Sequence, residues 1–414
     1  MSETILTTRA ALEAAILAGR AAGVRVEGVD LSELRAADAN LTGTSFARCS
    51  GHGVDLRGAR LGGADLSGIR LDGGTLENAD AQNALFDGAE LNGTDLAGAK
   101  LDGASLVSAR LTELRCTGAV LTRLRGAGAV FTGVDLGRTT LAGAALEGAV
   151  FERVRFDGGD LDAANLSGAR FVECSFASVN MRGIMLDSAS LRGADLSRTR
   201  FSSASMSAVD LTGARLVKAN VSGVDLSTAK LAGAAIIQTL AENTILTGLT
   251  LVGCDLSSST FSDSDLSGAD LTGACIEKTS FERSNLTGVK LHQARGRFVN
   301  FGGAKLEDAV LSEASFVSGE FSRAVLTRAR AQRASFRKAV LEGVELSRAD
   351  LREADFTYAD LSHARAIEAD LRGALLVQAD VHRWEAANAQ LAGANVEGLK
   401  TTDPNRARAE DFTP

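Results

Sequence analysis

From Val26 to Val396 a large apolar residue, or its stand-in, recurs at every fifth position without one slip of register. The unit reads small, polar, large apolar, polar, polar, as in Ala64-Asp65-Leu66-Ser67-Gly68 and Ala349-Asp350-Leu351-Arg352-Glu353. Five residues per unit over that span, both ends counted, make 75 consecutive units. A fixed short period predicts a solenoid, because one unit cannot bury its apolar centre alone and is stabilised by stacking on its neighbours.

The phenylalanines report which centres lie above one another. Fifteen of the 17 occupy centres, and eight pairs are 20 residues apart, against three each at 5, 15 and 25 and none at 10. Aromatic rings stack like on like along a ladder, so the ladder Phe261, Phe281, Phe301, Phe321 predicts one full coil every four units. Each coil is then a square with four inward centres. Seventy-five units make about 19 coils, and a backbone spacing of ~4.8 Å makes a rod of roughly 90 Å.

The units resemble the A(D/N)LXX motif of the pentapeptide-repeat family, over about nine-tenths of the chain. The resemblance implies an all-β fold, a right-handed quadrilateral β-helix. It implies function only loosely, since family members include proteins that protect DNA gyrase by imitating DNA and others associated with secretion systems.

Outside the repeat, residues 1–23 predict a capping helix: Thr8 is placed to cap it, Leu12, Ala15 and Ile16 share one face, and Gly19 or Gly23 ends it. Such a helix covers the bare centres and unpaired backbone of a first coil. The repeat domain spans 24–399, and residues 400–414 read as a polar, mobile C-terminal tail. Two departures from the motif stand out. Gly296 replaces a large centre between Ile276 and Phe316, a gap that a neighbouring ring fills most simply, a kink or a partner site being the alternative. Trp384 takes a small inward position where an indole is too large, so it belongs to the C-terminal cap or to a contact surface.

No run of about 18 apolar residues predicts a membrane span, and Glu13 and Arg20 interrupt the N-terminal segment, against a secretory signal. Five cysteines, an odd number, fit a reducing, cytoplasmic compartment. Cys49, Cys174 and Cys254 fall at small inward positions and Cys116 at a centre, as small buried hydrophobes; Cys275 is the most exposed thiol. His52, His292, His363 and His382 fall on outward positions, far apart in the coil count and without metal-site spacing. A filled rod implies no cleft with convergent titratable groups, so the chain reads as non-enzymatic, with no cofactor, metal or small-molecule substrate.

Charge is the remaining handle on partners. The net of −8 is mild and the signs interleave. Residues 251–276 carry four Asp and no base, whereas 321–340 carry six bases and no acid. Arg323, Arg328, Arg333 and Lys338 repeat one corner position on all four sides of a coil, a belt that with Trp384 forms the candidate contact set. The belt encircles the rod and lacks interleaved surface aromatics, so it reads first as a solubility device and second as a contact for an acidic partner, with nucleic acid disfavoured. A DNA-like surface needs dense negative charge, and only residues 51–100 approach it, with eight acids to four bases. The leading reading is a cytoplasmic protein-interaction scaffold, with a secretion component as one partner class. The alternative is a DNA mimic that binds gyrase.

Overall fold

The computed structural model describes residues 4–411. It divides into two compact units, Met1–Ala214 and Arg215–Pro414, each a four-sided parallel β-solenoid. In both units the bridge residues pair with those 20 positions on, from Arg25↔Ser45 to Ser190↔Asp210 in the first and from Arg215↔Ala235 to Asp380↔Lys400 in the second. Most centre N–H groups donate to the carbonyl 19 residues ahead, as Leu66 to Leu85 at 2.6 Å and Leu286 to Lys305 at 2.7 Å. The residue before it donates backward, as Asp65 to Thr44 at 3.0 Å. The five-residue beat thus satisfies the backbone of each side through its two neighbouring coils.

Corner geometry decides how much of a side becomes strand. Most corners close with a hydrogen bond from three residues on, such as Ile69 N–H to Leu66 O at 3.1 Å, and pairing is cut to a single bridge residue per side. On one side of the first unit the corner bends without that bond, and three-residue strands form: β3 Ser50–His52, β4 Arg70–Asp72, β5 Glu90–Asn92, β6 Arg110–Thr112, β7 Val130–Thr132, β8 Val150–Glu152 and β9 Arg170–Val172. They make one seven-stranded parallel sheet in sequence order. With β2 at Arg25–Val26, paired to β1 at Ile5–Leu6, strand-bearing coils number roughly eight and not the 19 expected. From residue 190 the same side closes its corners, Ala194 N–H bonding Leu191 O at 3.1 Å, and regular strand ends there.

The centres and the small residues two positions earlier fill the interior. Leu66, Ala64, Phe151, Leu286 and Ala304 are wholly buried. The aromatic ladder stands as the spacing predicts, with ring centroids at 5.4 Å for Phe261–Phe281, 5.2 Å for Phe281–Phe301 and 5.0 Å for Phe301–Phe321. Hydroxyls at small inward positions are satisfied by the preceding coil: Ser259, Ser264 and Ser284 donate to the carbonyls of Ile236, Ala241 and Phe261 at 2.6–2.7 Å. Gly296 leaves no void, because a Cβ there would lie 3.0 Å from Ile276 and 3.2 Å from Phe316. Cys49, Cys116, Cys174 and Cys254 are buried, and burial pushes the Cys116 thiol up to about 12.

The N-terminal lid is helix α1, Arg9–Leu17, with Thr8 Oγ1 accepting from Ala11 N–H. Leu12 is wholly buried, and Arg9 donates to the carbonyls of Ser32 and Glu33 in the first coil. Thr8→Ala should therefore lower stability by about 1 kcal/mol, read as faster amide exchange confined to α1 and the coil beneath it.

The C-terminal tail corrects the expectation of a mobile segment. Asp403 caps a short helix α2, Pro404–Glu410, accepting from the N–H groups of Asn405 and Arg406, with Pro404 at its first turn. Arg383 holds it to the coil through the Ala407 carbonyl at 2.7 Å and the Asp411 carboxylate at 2.6 Å.

Candidate interaction surface

The corner position two residues after each centre takes the left-handed conformation, and Arg323, Arg328, Arg333 and Lys338 hold it with φ of 58°, 60°, 56° and 57°. They are one belt in backbone terms but not in charge. Arg328 lies against Asp308 of the preceding coil, with Nε and Nη2 at 2.8 and 2.7 Å from its two oxygens. Its guanidinium holds the Asp308 carboxyl below the usual carboxylate range. Arg333 reaches Glu313 at 3.1 Å. The belt is half neutralised by the coil beneath it, a pairing rule also seen for Arg182–Asp162 and Arg283–Asp263. Arg323 and Lys338 have no ion-pair partner among the described residues.

Trp384 does not distort its coil. Its N–H closes an ordinary corner on Val381 O at 3.2 Å, and the side chain is half-buried. The centre that follows it, Ala386, and the one beneath that, Ala366, are small. Beyond it the last centres emerge into solvent, Leu391 at 40% and Val396 at 48% exposure.

The histidines are not all outward and apart. His363 and His382 lie on adjacent coils with ring centroids 5.6 Å apart, and α2 brings Glu410 to 3.1 Å from His382 Nε2 and 3.4 Å from His363 Nε2. His382 is 1% exposed. Sequence spacing alone missed this cluster, since the carboxylate comes from a helix that folds back. These three groups lie close enough to chelate an ion, yet the donor set does not fit one. His382 Nδ1 accepts from the Asp403 N–H at 3.1 Å, so the neutral ring carries its proton on Nε2 and donates it to Glu410, leaving no lone pair there for a metal. Arg383 and Arg406 already occupy Glu410 at 3.3 and 3.0 Å. The cluster is a clasp that holds α2 at both ends.

A surface groove of about 940 Å³ on the first unit sets Arg25 and Arg48 against Glu27, Asp65 and Asp87. Arg25 pairs there with Glu27 at 2.7 Å.

Surface aromatics, which the sequence reading denied to the basic coil, are present beside it. Phe298 and Tyr358 are 46% and 55% exposed, at the same corner position as Lys338, one and two coils away on either side.

The pentapeptide-repeat family model, an eight-copy repeat, matches residues 27–126, 129–240, 264–295 and 297–373 in overlapping windows. The chain belongs to the pentapeptide-repeat family, whose members are as a rule non-enzymatic structural or interaction proteins. It is similar to full-length QnrB1, a plasmid-mediated fluoroquinolone resistance protein, at 19% identity over 53% of this chain and 92% of that one, with a TM-score of 0.28. It is also similar to HetL, a pentapeptide repeat protein involved in heterocyst differentiation regulation from the cyanobacterium Nostoc sp. strain PCC 7120. There identity is 22% over 71% of this chain and 89% of that one, with a TM-score of 0.16. A further likeness is to Rfr23 of the cyanobacterium Cyanothece 51142, at 21% identity over 39% and 88% of the two chains and a TM-score of 0.13. Among curated proteins no sequence matches. These likenesses concern the repeat fold and carry no role from one protein to another.

Proposed function

We propose that the chain is a non-enzymatic, cytoplasmic scaffold that presents its outward columns of side chains to another protein. The observation that carries this reading is the division of labour in each unit. Two of five positions are spent on a filled interior, and the other three form a surface on which charges of both signs interleave and a number of them pair from coil to coil. Such a surface offers shape and spacing for recognition, and little for catalysis. A component or cargo of a secretion apparatus is one partner class this reading admits.

A gyrase-binding DNA mimic is the second reading, favoured by the acid-rich stretch 51–100. It ranks lower because bases interrupt the acids: along one side the bridges run Arg35↔Asp55 and then Asp95↔Arg115↔Asp135↔Arg155. A duplex carries one phosphate charge per ~1.7 Å of axis, whereas this column reads Arg35, Asp55, Thr75, Asp95, Arg115, Asp135, Arg155 and mixes both signs with a neutral residue.

Affinity capture from the native cell, with the full chain as bait, tests the scaffold. The expected result is a stoichiometric protein partner whose capture falls when Arg323 and Lys338 are changed to Glu, or Trp384 to Ala. A supercoiling assay in which the protein protects gyrase from a quinolone, with protection lost on neutralising Asp55, Asp65, Glu77, Asp80 and Asp87, would reverse the ranking.

A further inference from the structure

Two aromatic side chains stand where the fold disfavours them. Corners with φ near +60° carry glycine or, elsewhere among the described residues, charged, polar or alanine side chains. Phe298 and Tyr358 nevertheless occupy such corners, at φ 58° and 61°. Every other phenylalanine among the described residues fills a buried centre, and Tyr358 is the chain's one tyrosine. Both rings are about half exposed, and large aromatic side chains kept on outward corners that elsewhere are polar or small point to use.

The two rings belong to one corner line of the second unit. Positions 298, 318, 338 and 358 follow one another up that line, through backbone bonds from Phe298 to Val317, Ser318 to Arg337, Lys338 to Thr357 and Tyr358 to Val377 at 2.9–3.1 Å. Three coil steps of ~4.8 Å set the rings about 14 Å apart, and Lys338 stands between them. The Arg297 guanidinium lies 4.8 Å over the Phe298 ring, and Val340, beside Lys338, is 38% exposed.

On the corner line itself the charge is positive, from Lys338, and the carboxylates of Glu320, Asp355 and Asp360 lie beside the line, not on it. Glu320, Asp355 and Asp360 each accept a backbone N–H two residues on, from Ser322, Thr357 and Ser362 at 2.8–2.9 Å, and Asp355 also pairs with Arg337 at 3.2 Å. Arg295, Arg297 and Lys338 have no ion-pair partner among the described residues.

The geometry points to this edge as the docking line for an extended acidic segment of a partner protein, with apolar side chains on the two rings and a carboxylate between them on Lys338. An extended chain advances ~3.3 Å per residue and turns residues i, i+2 and i+4 to one face, so i to i+4 spans about 13 Å, close to the ring spacing. Exposed aromatics and arginine are the residue types that anchor protein interfaces. Single-stranded nucleic acid also stacks on aromatic rings. The aliphatic Val317 and Val340 flank the line and favour a peptide over a phosphate backbone. This inference rests on the scaffold reading and gives its partner a chemistry.

The test is fluorescence anisotropy with the full chain and three labelled probes: a peptide containing Phe-Ser-Glu-Ser-Phe, the same peptide with Lys for Glu, and an oligothymidylate of about 15 nucleotides. The Glu peptide should bind at least about tenfold more tightly than the Lys peptide. The double substitution Phe298→Gly and Tyr358→Gly should weaken it by about tenfold or more, while Tm stays level or rises, because glycine relaxes both corners. That opposite movement separates lost contact from lost fold. Equal binding of the two peptides, or unchanged binding by the double variant, overturns the proposal; tighter binding of the oligothymidylate overturns it in favour of a nucleic-acid site. The two readings fail separately: a native partner captured equally by wild type and by the double variant leaves the scaffold standing and removes the edge.

Discussion

Leu251→Asp is expected to destabilise the second unit by about 4 kcal/mol or more, while Val252→Asp, one residue on, should cost less than about 0.5 kcal/mol. Leu251 is a centre, wholly buried between Leu231 and Leu271 of the adjoining coils, whereas Val252 is 51% exposed. The substitutions deliver the same charge to neighbouring points of one backbone, and only the facing differs. At Leu251 the carboxylate would meet apolar side chains and backbone groups already paired, as its N–H is with Asp270 O at 2.7 Å. It would have to ionise without a partner or fold protonated. Cooperative melting of a long repeat array is not a safe single number, so amide exchange across residues 231–271 is the better readout. Similar exchange in the two variants would mean that inside and outside have been exchanged.

The second large effect concerns the vacant centre at Gly296. Phe316→Ala should cost about 3–5 kcal/mol, because the ring that fills the space beside Gly296 disappears and leaves a cavity. Gly296→Leu should cost about 1–3 kcal/mol by overpacking, since even a Cβ would meet Ile276 at 3.0 Å and Phe316 at 3.2 Å. Combined, each change occupies or vacates the room the other needs, and the double variant should be clearly more stable than the sum of the two losses. Denaturant midpoints of the four proteins check this; strict additivity would show that the ring and the glycine are not coupled.

Much of this protein was legible in its sequence for a simple reason. In a solenoid, residues close in space are separated by a constant number of positions, so a spacing such as that of Phe261, Phe281 and Phe301 reports a contact directly. The same constancy put Cys49, Cys116, Cys174 and Cys254 inside. It also made the lid at α1 expected, since a first coil must be covered and Thr8 and Leu12 are placed to do so.

What escaped the sequence depends on groups that leave the beat. Glu410 reaches His363 and His382 only because Asp403 and Pro404 start a helix that folds back, and no spacing encodes that return. Strand length along β3 to β9 hinges on whether a corner closes its hydrogen bond, a difference that the side chains at Leu71 and Leu191 do not announce. The electrostatics of the belt were likewise a tertiary matter: Arg328 and Arg333 are basic in sequence but neutralised by Asp308 and Glu313 one coil below. By itself the sequence determined the coil period, the inward centres and the family, because those follow from a local repeat satisfied by nearest neighbours. Only the tertiary structure decided which outward charges remain free, how α2 is clasped and which corners carry exposed rings, because these depend on side chains from different coils competing for the same partners and the same space.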